Sequence, residues 1–256
     1  MKIIGVVPAR MAASRFPGKP LHKICGMPMV EHVYRRAAMF SHWDGLYLAT
    51  CDEEIAALGR RRKWPTLMTS DQHTRALDRV AEAVEKCGQP IEKQDVIVCV
   101  QGDEPMLYSD MIAAVVSPLK EDAAVPCTVL AIAIGEEEQF YDPNIVKIIH
   151  DIKGDVLYTS RAPVPYCEKF FPDLGARRIG GIFAFRYWFL KVFASIPESP
   201  LEIVESCDSN RILDNGYRQR IAPYPAVASF SIDCPSDAEK VELHMQDDPL
   251  WKLYGN

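Results

Sequence analysis

The stretch PARMAASRFPGKP, Pro8 to Pro20, follows directly on the apolar run Ile3-Ile4-Gly5-Val6-Val7. An apolar run of this length, bounded by turn residues, reads as a buried parallel strand. The loop after it holds three cations, Arg10, Arg15 and Lys19, among the small residues Ala9, Ala12, Ala13 and Ser14, and Pro17-Gly18 then turns the chain. Small residues let backbone amides approach an anion closely and the cations neutralise it, which is the chemistry of a polyphosphate cradle. The loop also stands at the carboxyl end of a first strand, where open α/β sheets bind their ligands. Three cations taken alone are equally consistent with a solvated basic loop. Neither G-x-x-x-x-G-K-[ST] nor G-x-G-x-x-G occurs, so this is neither a Walker loop nor a dinucleotide fingerprint.

Outward from the loop, strand and helix alternate. Pro28 suits the first turn of a helix running to about Phe40, after a short connector from Leu21 to Met27. Leu46–Thr50 reads as a strand, Asp52 as the cap of a helix through Arg62, and Pro65–Met68 as a short strand. A helix at 76–86, a buried strand at 95–100 and a helix at 109–119 continue the pattern, which implies a mostly parallel sheet covered on both faces. The middle differs. Segments 125–134 and 146–158 are rich in β-branched residues, with Ile152-Lys153-Gly154-Asp155 as a hairpin turn, and suggest an antiparallel excursion. Beyond it the pattern predicts a strand at 178–186, a helix at 187–195, a helical stretch at 201–213, a strand near 227–232 that delivers Asp233, and a helix starting at Pro235. The expected fold is one α/β, Rossmann-like domain over residues 1–256 with a mostly parallel mixed sheet flanked by helices, and about 123–177 as the excursion.

Composition narrows the function. Hydrophobic content of 48% and charged content of 25% are those of an ordinary soluble globular protein. A formal net charge of -6 argues against nucleic acid as partner, so an anionic ligand must be met by local cations. No signal-peptide pattern and no apolar run of bilayer length occur, so a cytoplasmic address without a membrane partner is expected. Eight cysteines lie scattered without C-x-x-C or metal spacing and read as free thiols.

Two acids follow strand-like runs. Asp103 lies in Gln101-Gly102-Asp103-Glu104-Pro105, and Asp233 precedes Cys234-Pro235. Carboxylates from two strand ends facing a basic phosphate loop form a candidate Mg²⁺ site, since magnesium takes few protein carboxylates and completes its shell with water and phosphate. Asp233 could instead cap the following helix. The assembly suits nucleotidyl transfer, in which an acceptor oxygen attacks the α-phosphate of a nucleoside triphosphate and diphosphate leaves. His73 and His32 are possible bases, with surface or capping roles the simpler reading.

The opening loop closely resembles the signature P-A-R-x-x-x-x-R-x-P-G-K-P-L of cytidylyltransferases that activate acidic sugars, the 3-deoxy-manno-octulosonate (Kdo) cytidylyltransferase, or CMP-Kdo synthetase, family. Pro8, Ala9, Arg10, Arg15, Pro17, Gly18, Lys19, Pro20 and Leu21 meet it. Further matches are Met68-Thr69-Ser70 with His73, Asp78-Arg79, Asp142-Pro143-Asn144 with Val146-Lys147, Ser160-Arg161-Ala162, and Ser199, Leu201, Glu202, Glu205 and Arg211. The resemblance implies CTP as donor, an acidic sugar or other acidic acceptor, Mg²⁺ on Asp103 and Asp233, and a homodimer built on the excursion. It implies catalytic roles for Arg10, Arg15 and Lys19, and nucleotide contacts from Pro8, Ala9, Arg10, Ser14, Lys19, Ser70, Arg75, Gln101 and Gly102. Acceptor contacts fall to Arg161, Phe183, Glu202 and Glu205, with Arg161 either forking a carboxylate or held in an internal ion pair.

The departures cluster. Arg75-Ala76-Leu77 replaces S-G-T, Ile179 and Phe183 stand where the family has His and Tyr, and Ser209 replaces Gln. These segments belong to the family's sugar pocket, so the acceptor could be Kdo, a modified octulosonate, another keto acid or a phosphonate. A non-catalytic nucleotide-binding module and a guanylyl- or uridylyltransferase are the other classes. The latter usually open with a glycine-richer L-A-G-G-x-G loop, absent here.

Overall fold

A computed structural model describes residues 1–13, 15–229 and 231–255. The first half consists of β1 (Ile3–Ala9), a small hairpin of β2 (Lys23–Ile24) and β3 (Met27–Pro28), α1 (Met29–Ala37), β4 (Gly45–Thr50) and α2 (Glu53–Arg61). β5 (Thr66–Met68), α3 (Ala76–Lys86), β6 (Val96–Val100) and α4 (Ser109–Glu121) follow. The second half begins with β7 (Cys127–Ala133), α5 (Glu137–Tyr141), β8 (Lys147–His150) and β9 (Val156–Ser160). β10 (Arg177–Arg186), α6 (Tyr187–Ser195), α7 (Pro200–Glu205), α8 (Asp208–Asp214), β11 (Arg220–Tyr224), α9 (Pro235–Asp247) and α10 (Trp251–Tyr254) complete it.

The large sheet runs β11-β7-β10-β6-β1-β4-β5. Strands β6, β1, β4 and β5 are mutually parallel, β10 is antiparallel to both neighbours, and β11 is parallel to β7. β8 pairs with the start of β10 and carries β9 antiparallel beside it, so the expected excursion is confined to these two strands; the segment 125–134 supplies β7, which is built into the large sheet between β10 and β11. The period-2 geometry of a strand explains how β1 can be buried at every position. Ile3, Val7 and Ala9 pack with residues of α1, α2 and α4, while Ile4 and Val6 pack on the other face with residues of α3, α6 and α8. A parallel strand covered on both faces has no polar face to expose, hence the continuous apolar run.

Several expectations are corrected. The segment 227–232 forms no strand among its described residues; the strand is β11, pairing in parallel with β7. Pro223 hid it, because proline removes a ladder donor, yet it is tolerated where β11 forms the sheet's edge. The helical stretch 201–213 is two helices, broken at Ser206 in the left-handed region with φ 52°. Asp52 occupies the N-cap position of α2 without capping it, because its carboxylate is engaged elsewhere. The connector 21–27 contains the β2–β3 hairpin, whose turn needs positive φ at Cys25 and Gly26. All eight cysteines are free thiols, and no helix among the described residues is long and apolar enough to cross a membrane.

The C-terminal helices dock onto the start of the chain. Ile232, Ala238, Val241 and Met245 pack with Ile24, Met29 and Met106. Beside them the buried His32 ring bonds the Ile24 carbonyl and the Tyr254 hydroxyl, each at 2.8 Å, and burial pushes its pKa down to about 4. His32 is therefore a structural imidazole. Arg36 pairs with Asp248 at 2.6 Å, both essentially without solvent contact. This docking brings Asp233 back to the loop after β1.

Candidate active site

The loop after β1 is held from below. Asp52 accepts the Met11 N–H at 2.8 Å, and the Gly18 N–H, at φ 75°, returns to the Met11 carbonyl at 3.0 Å. Lys19 is thereby aimed across the top of the sheet. Its Nζ donates to Asp103 Oδ2 at 2.8 Å and the Ile232 carbonyl at 2.6 Å, and lies 3.7 Å from Asp233 Oδ1. Arg15 meets Asp233 Oδ1 at 2.9 Å and donates to Asn144 Oδ1 at 2.8 Å. Arg10 donates to the His73 carbonyl at 3.3 Å. Gly102 is required here, since a Cβ at that position would fall 2.5 Å from the Pro8 carbonyl oxygen. The two strand-end loops thus touch, with Asp103 placed next to the cations.

Whether Asp233 is a cap or a site residue is decided by its neighbour. Asp237 accepts the N–H groups of Asp233 and Cys234, at 2.9 and 2.8 Å, and so caps α9, leaving the Asp233 carboxylate to face Lys19 and Arg15. Burial, and then the proximity of Asp103, raise the Asp233 pKa against the pull of Lys19 and Arg15. Burial works to lower Lys19, but Asp103 and Asp233 outweigh it and its pKa is raised. Two converging carboxylates whose mutual repulsion is relieved by an ammonium group fit a hard divalent cation.

Two cavities open at this point. A smaller one of about 220 Å³ is lined by Pro8, Ala9, Arg10, Lys19, Arg75 and Gly102, all expected nucleotide contacts. A larger one of about 720 Å³ includes Arg15, Arg161, Arg178, Phe183, Asp208 and Asp233 in its wall. Gln101 and Asp103 line both. Ser14 lies outside the described residues. Ser70 is not in either wall; its N–H donates to Glu82 and its hydroxyl accepts from Gln72, which braces a turn. His73 is occupied with Glu82 at 2.5 Å.

The expected acceptor set is only partly assembled. Phe183 and Arg161 reach the larger cavity, but Glu202 and Glu205 do not. Glu202 is fully buried and gripped by Arg211 Nε and Nη2, both at 2.8 Å. Glu205 accepts from the Tyr158 and Ser160 hydroxyls and the Arg161 N–H, each at 2.8 Å, which ties α7 to β9. Both glutamates are braces, because their oxygens already have donors. Sequence reasoning passed over Glu104, Arg178 and Asp208, which line the cavity. Burial, with Asp103 adding, pushes Glu104 up to about 8, and it accepts a hydrogen bond from Ser231.

A double irregularity shapes the cavity floor. In pairing with β7, Ile179 opposes Ala131 and Phe183 opposes Val129, so Gly180, Gly181 and Ile182 face the single residue Leu130. Gly181 has φ 68°, and a Cβ there would lie 2.3 Å from Glu104 Oε1. Gly181→Ala is therefore expected to cost about 1–3 kcal/mol in a denaturant melt by displacing Glu104. A variant as stable as the parent would refute the tight contact.

A family model described as cytidylyltransferase matches residues 4–221. The chain is 39% identical to a 3-deoxy-manno-octulosonate cytidylyltransferase of Syntrophotalea carbinolica, over 96% of this chain and 99% of that protein. It is 37% identical to one of Geobacter metallireducens, over 94% and 96%. A solved CMP:2-keto-3-deoxy-manno-octonic acid synthetase complexed with CTP superposes with a TM-score of 0.86 at 31% identity, covering 96% of this chain and 99% of that one. A cradle of cations, two acids and paired cavities thus occurs in a chain that belongs to the cytidylyltransferase family.

Proposed function

We propose that the protein joins CMP from CTP to the hydroxyl of a keto-acid sugar, 3-deoxy-manno-octulosonate, releasing diphosphate, with Mg²⁺ as the divalent cation and in the cytoplasm. The supporting observation is the wall of Gln101 and Asp103 common to both cavities, which lets a nucleotide and an acceptor meet at one acid. The acceptor hydroxyl oxygen forms a bond to the α-phosphorus and gives up its proton to solvent, as the bond to the bridging β-phosphate oxygen breaks and its electron pair leaves with diphosphate. Lys19, Arg15 and Arg10 neutralise the charge that builds on the phosphoryl oxygens and leaving group. Asp103 and Asp233 would hold the cation, which supplies Lewis acidity at those oxygens and at the acceptor hydroxyl.

The test is diphosphate release from CTP and Mg²⁺ with Kdo, 8-amino-Kdo, sialic acid and simple phosphonates, with Asp103→Asn as control. Turnover with Kdo supports the reading. CTP binding without release from any acceptor would favour a binding module. A second reading, another acidic acceptor, is favoured by Ile179 and Phe183 in the cavity wall, where two apolar side chains offer a polyhydroxylated chain no hydrogen bonds. Turnover with a different acid, and none with Kdo, would select it.

Asp208 makes acceptor binding pH-dependent under this reading. Burial, opposed by Arg75 and reinforced by Glu202, pushes it up to about 6. As pH falls through 6 the carboxylate is protonated and loses capacity to accept hydroxyl hydrogen bonds, so the acceptor KM rises. Asp208→Asn flattens this inflection. An unchanged profile in that variant would remove Asp208 from the acceptor site.

A homodimer is part of the proposal. Ile152 and Leu157 on the excursion and Ile203 and Val204 on α7 are exposed large apolar side chains. Light scattering should return twice the 28.8 kDa chain mass, and Leu157→Asp combined with Val204→Asp should return the single mass. A monomeric parent would discard the interface.

A further inference from the structure

The larger cavity has four cations in its wall whose contacts are defined, and three of them are engaged. Arg15 faces Asp233 at 2.9 Å, and Lys240 lies 3.6 Å from Glu138. Arg161 Nε donates to the Glu205 carbonyl at 2.7 Å, and its Nη1 donates to the carbonyls of Pro143 and Asn144 at 2.9 and 3.4 Å. That guanidinium staples α7 to the 142–146 segment, with Nε and Nη1 both committed to backbone carbonyls.

Arg178 is different. It is 4% exposed, its Nη2 donates to the Ser229 carbonyl at 2.6 Å, and its buried Nε has no hydrogen-bond partner. Glu104 attracts it through space, but no ion pair joins them among the described residues. An idle buried N–H on a desolvated cation is costly, and a shift of the side chain toward an oxyanion in the cavity offsets that cost. A guanidinium pairs with a planar carboxylate in a two-point fork, which an ammonium group cannot reproduce. The position is also suitable. Ser229 precedes Asp233 by four residues, so one short segment connects the partner of Arg178 to the acid beside Lys19. Arg178 opposes Lys147 of β8, whose Nζ donates to three backbone carbonyls at 2.7 to 2.9 Å, so Arg178 carries the cationic surface of this floor alone of the two.

We propose that Arg178, rather than Arg161, anchors the carboxylate of the acceptor in the larger cavity. This rests on the cytidylyl-transfer reading and names the residue that makes the acceptor an acid. A keto-acid sugar enters with its carboxylate on Arg178 and is thereby oriented relative to the phosphate loop.

The experiment compares Kdo with its methyl ester, by diphosphate release and by titration calorimetry in the absence of CTP, for the parent, Arg178→Gln, Arg178→Lys and Arg161→Lys. The parent should prefer the acid by about ten- to a hundred-fold, the range of a hydrogen bond to a charged group. Arg178→Gln should lose that preference with the CTP KM changed less than about two-fold, Arg178→Lys should keep part of it, and Arg161→Lys should keep all of it. A retained preference in Arg178→Gln, its loss in Arg161→Lys, or no preference in the parent overturns the assignment. Calorimetry separates the two levels: no turnover by the parent, with acid-selective binding that Arg178→Gln abolishes, would leave Arg178 as the anchor and remove the transfer reaction.

Discussion

Lys19→Met should lower kcat/KM for CTP by about 10²- to 10³-fold, the scale on which a preorganised charge at a reacting centre acts. The expectation follows from where the ammonium lies. Lys19 lines the smaller cavity, with its Nζ 2.8 Å from Asp103, which lines both cavities, and 3.7 Å from Asp233. Removing it takes away a cation that would meet the triphosphate and leaves two carboxylates facing each other with only Arg15 nearby. The methionine retains the apolar stem, so packing changes little. Thermal stability should move far less than activity, because beyond the two acids Lys19 makes a single hydrogen bond, to the Ile232 carbonyl. Steady-state kinetics and a melt of the same preparation separate the two. Activity within about ten-fold of the parent would show that Lys19 lies outside the reaction.

The second large effect is on stability. Arg211→Met should destabilise the fold by about 3–5 kcal/mol, because it leaves a buried acid uncompensated. Arg211 holds Glu202 through Nε and Nη2, holds Asp78 through Nη1 and Nη2 at 2.8 and 3.2 Å, and lies 4.3 Å over the ring of Phe193. Glu202 is fully buried and would retain Arg75 at 3.7 Å as its nearest cation. The melting temperature should fall by roughly 10 °C, and Arg211→Met combined with Glu202→Leu should recover part of the loss. A single variant within about 1 kcal/mol of the parent would mean that the network contributes little. This network joins α3 to α7 and α8, so its loss should also loosen the wall that presents Asp208.

These two residues mark how far the chain could be read without its structure. Lys19 was legible as a candidate because the basic loop is local: cations, small residues and a Pro-Gly turn lie within thirteen positions of one strand. Helices at 76–86 and 187–195 were legible for the same reason, since their apolar spacing repeats over a few turns. β11 was not, because Pro223 contradicts a strand until the strand is known to lie at an edge. Glu202 and Glu205 could be matched to a motif, but a motif does not say which donors surround a carboxylate. Their partners come from Arg211, Tyr158 and Ser160, and Arg211 in turn reaches Asp78 across 133 residues.

Sequence alone determined the α/β class, the cation cradle after the first strand and the pair of acids, since each is written in neighbouring residues. Tertiary structure decided that Asp237 caps α9 and frees Asp233, that Arg161 is a staple, and that Arg178, in the cavity wall, keeps a buried Nε without a partner. Those outcomes depend on which groups the fold brings within hydrogen-bond distance. Hydrogen bonds fall off within a few tenths of an ångström, a precision that residue identity does not carry.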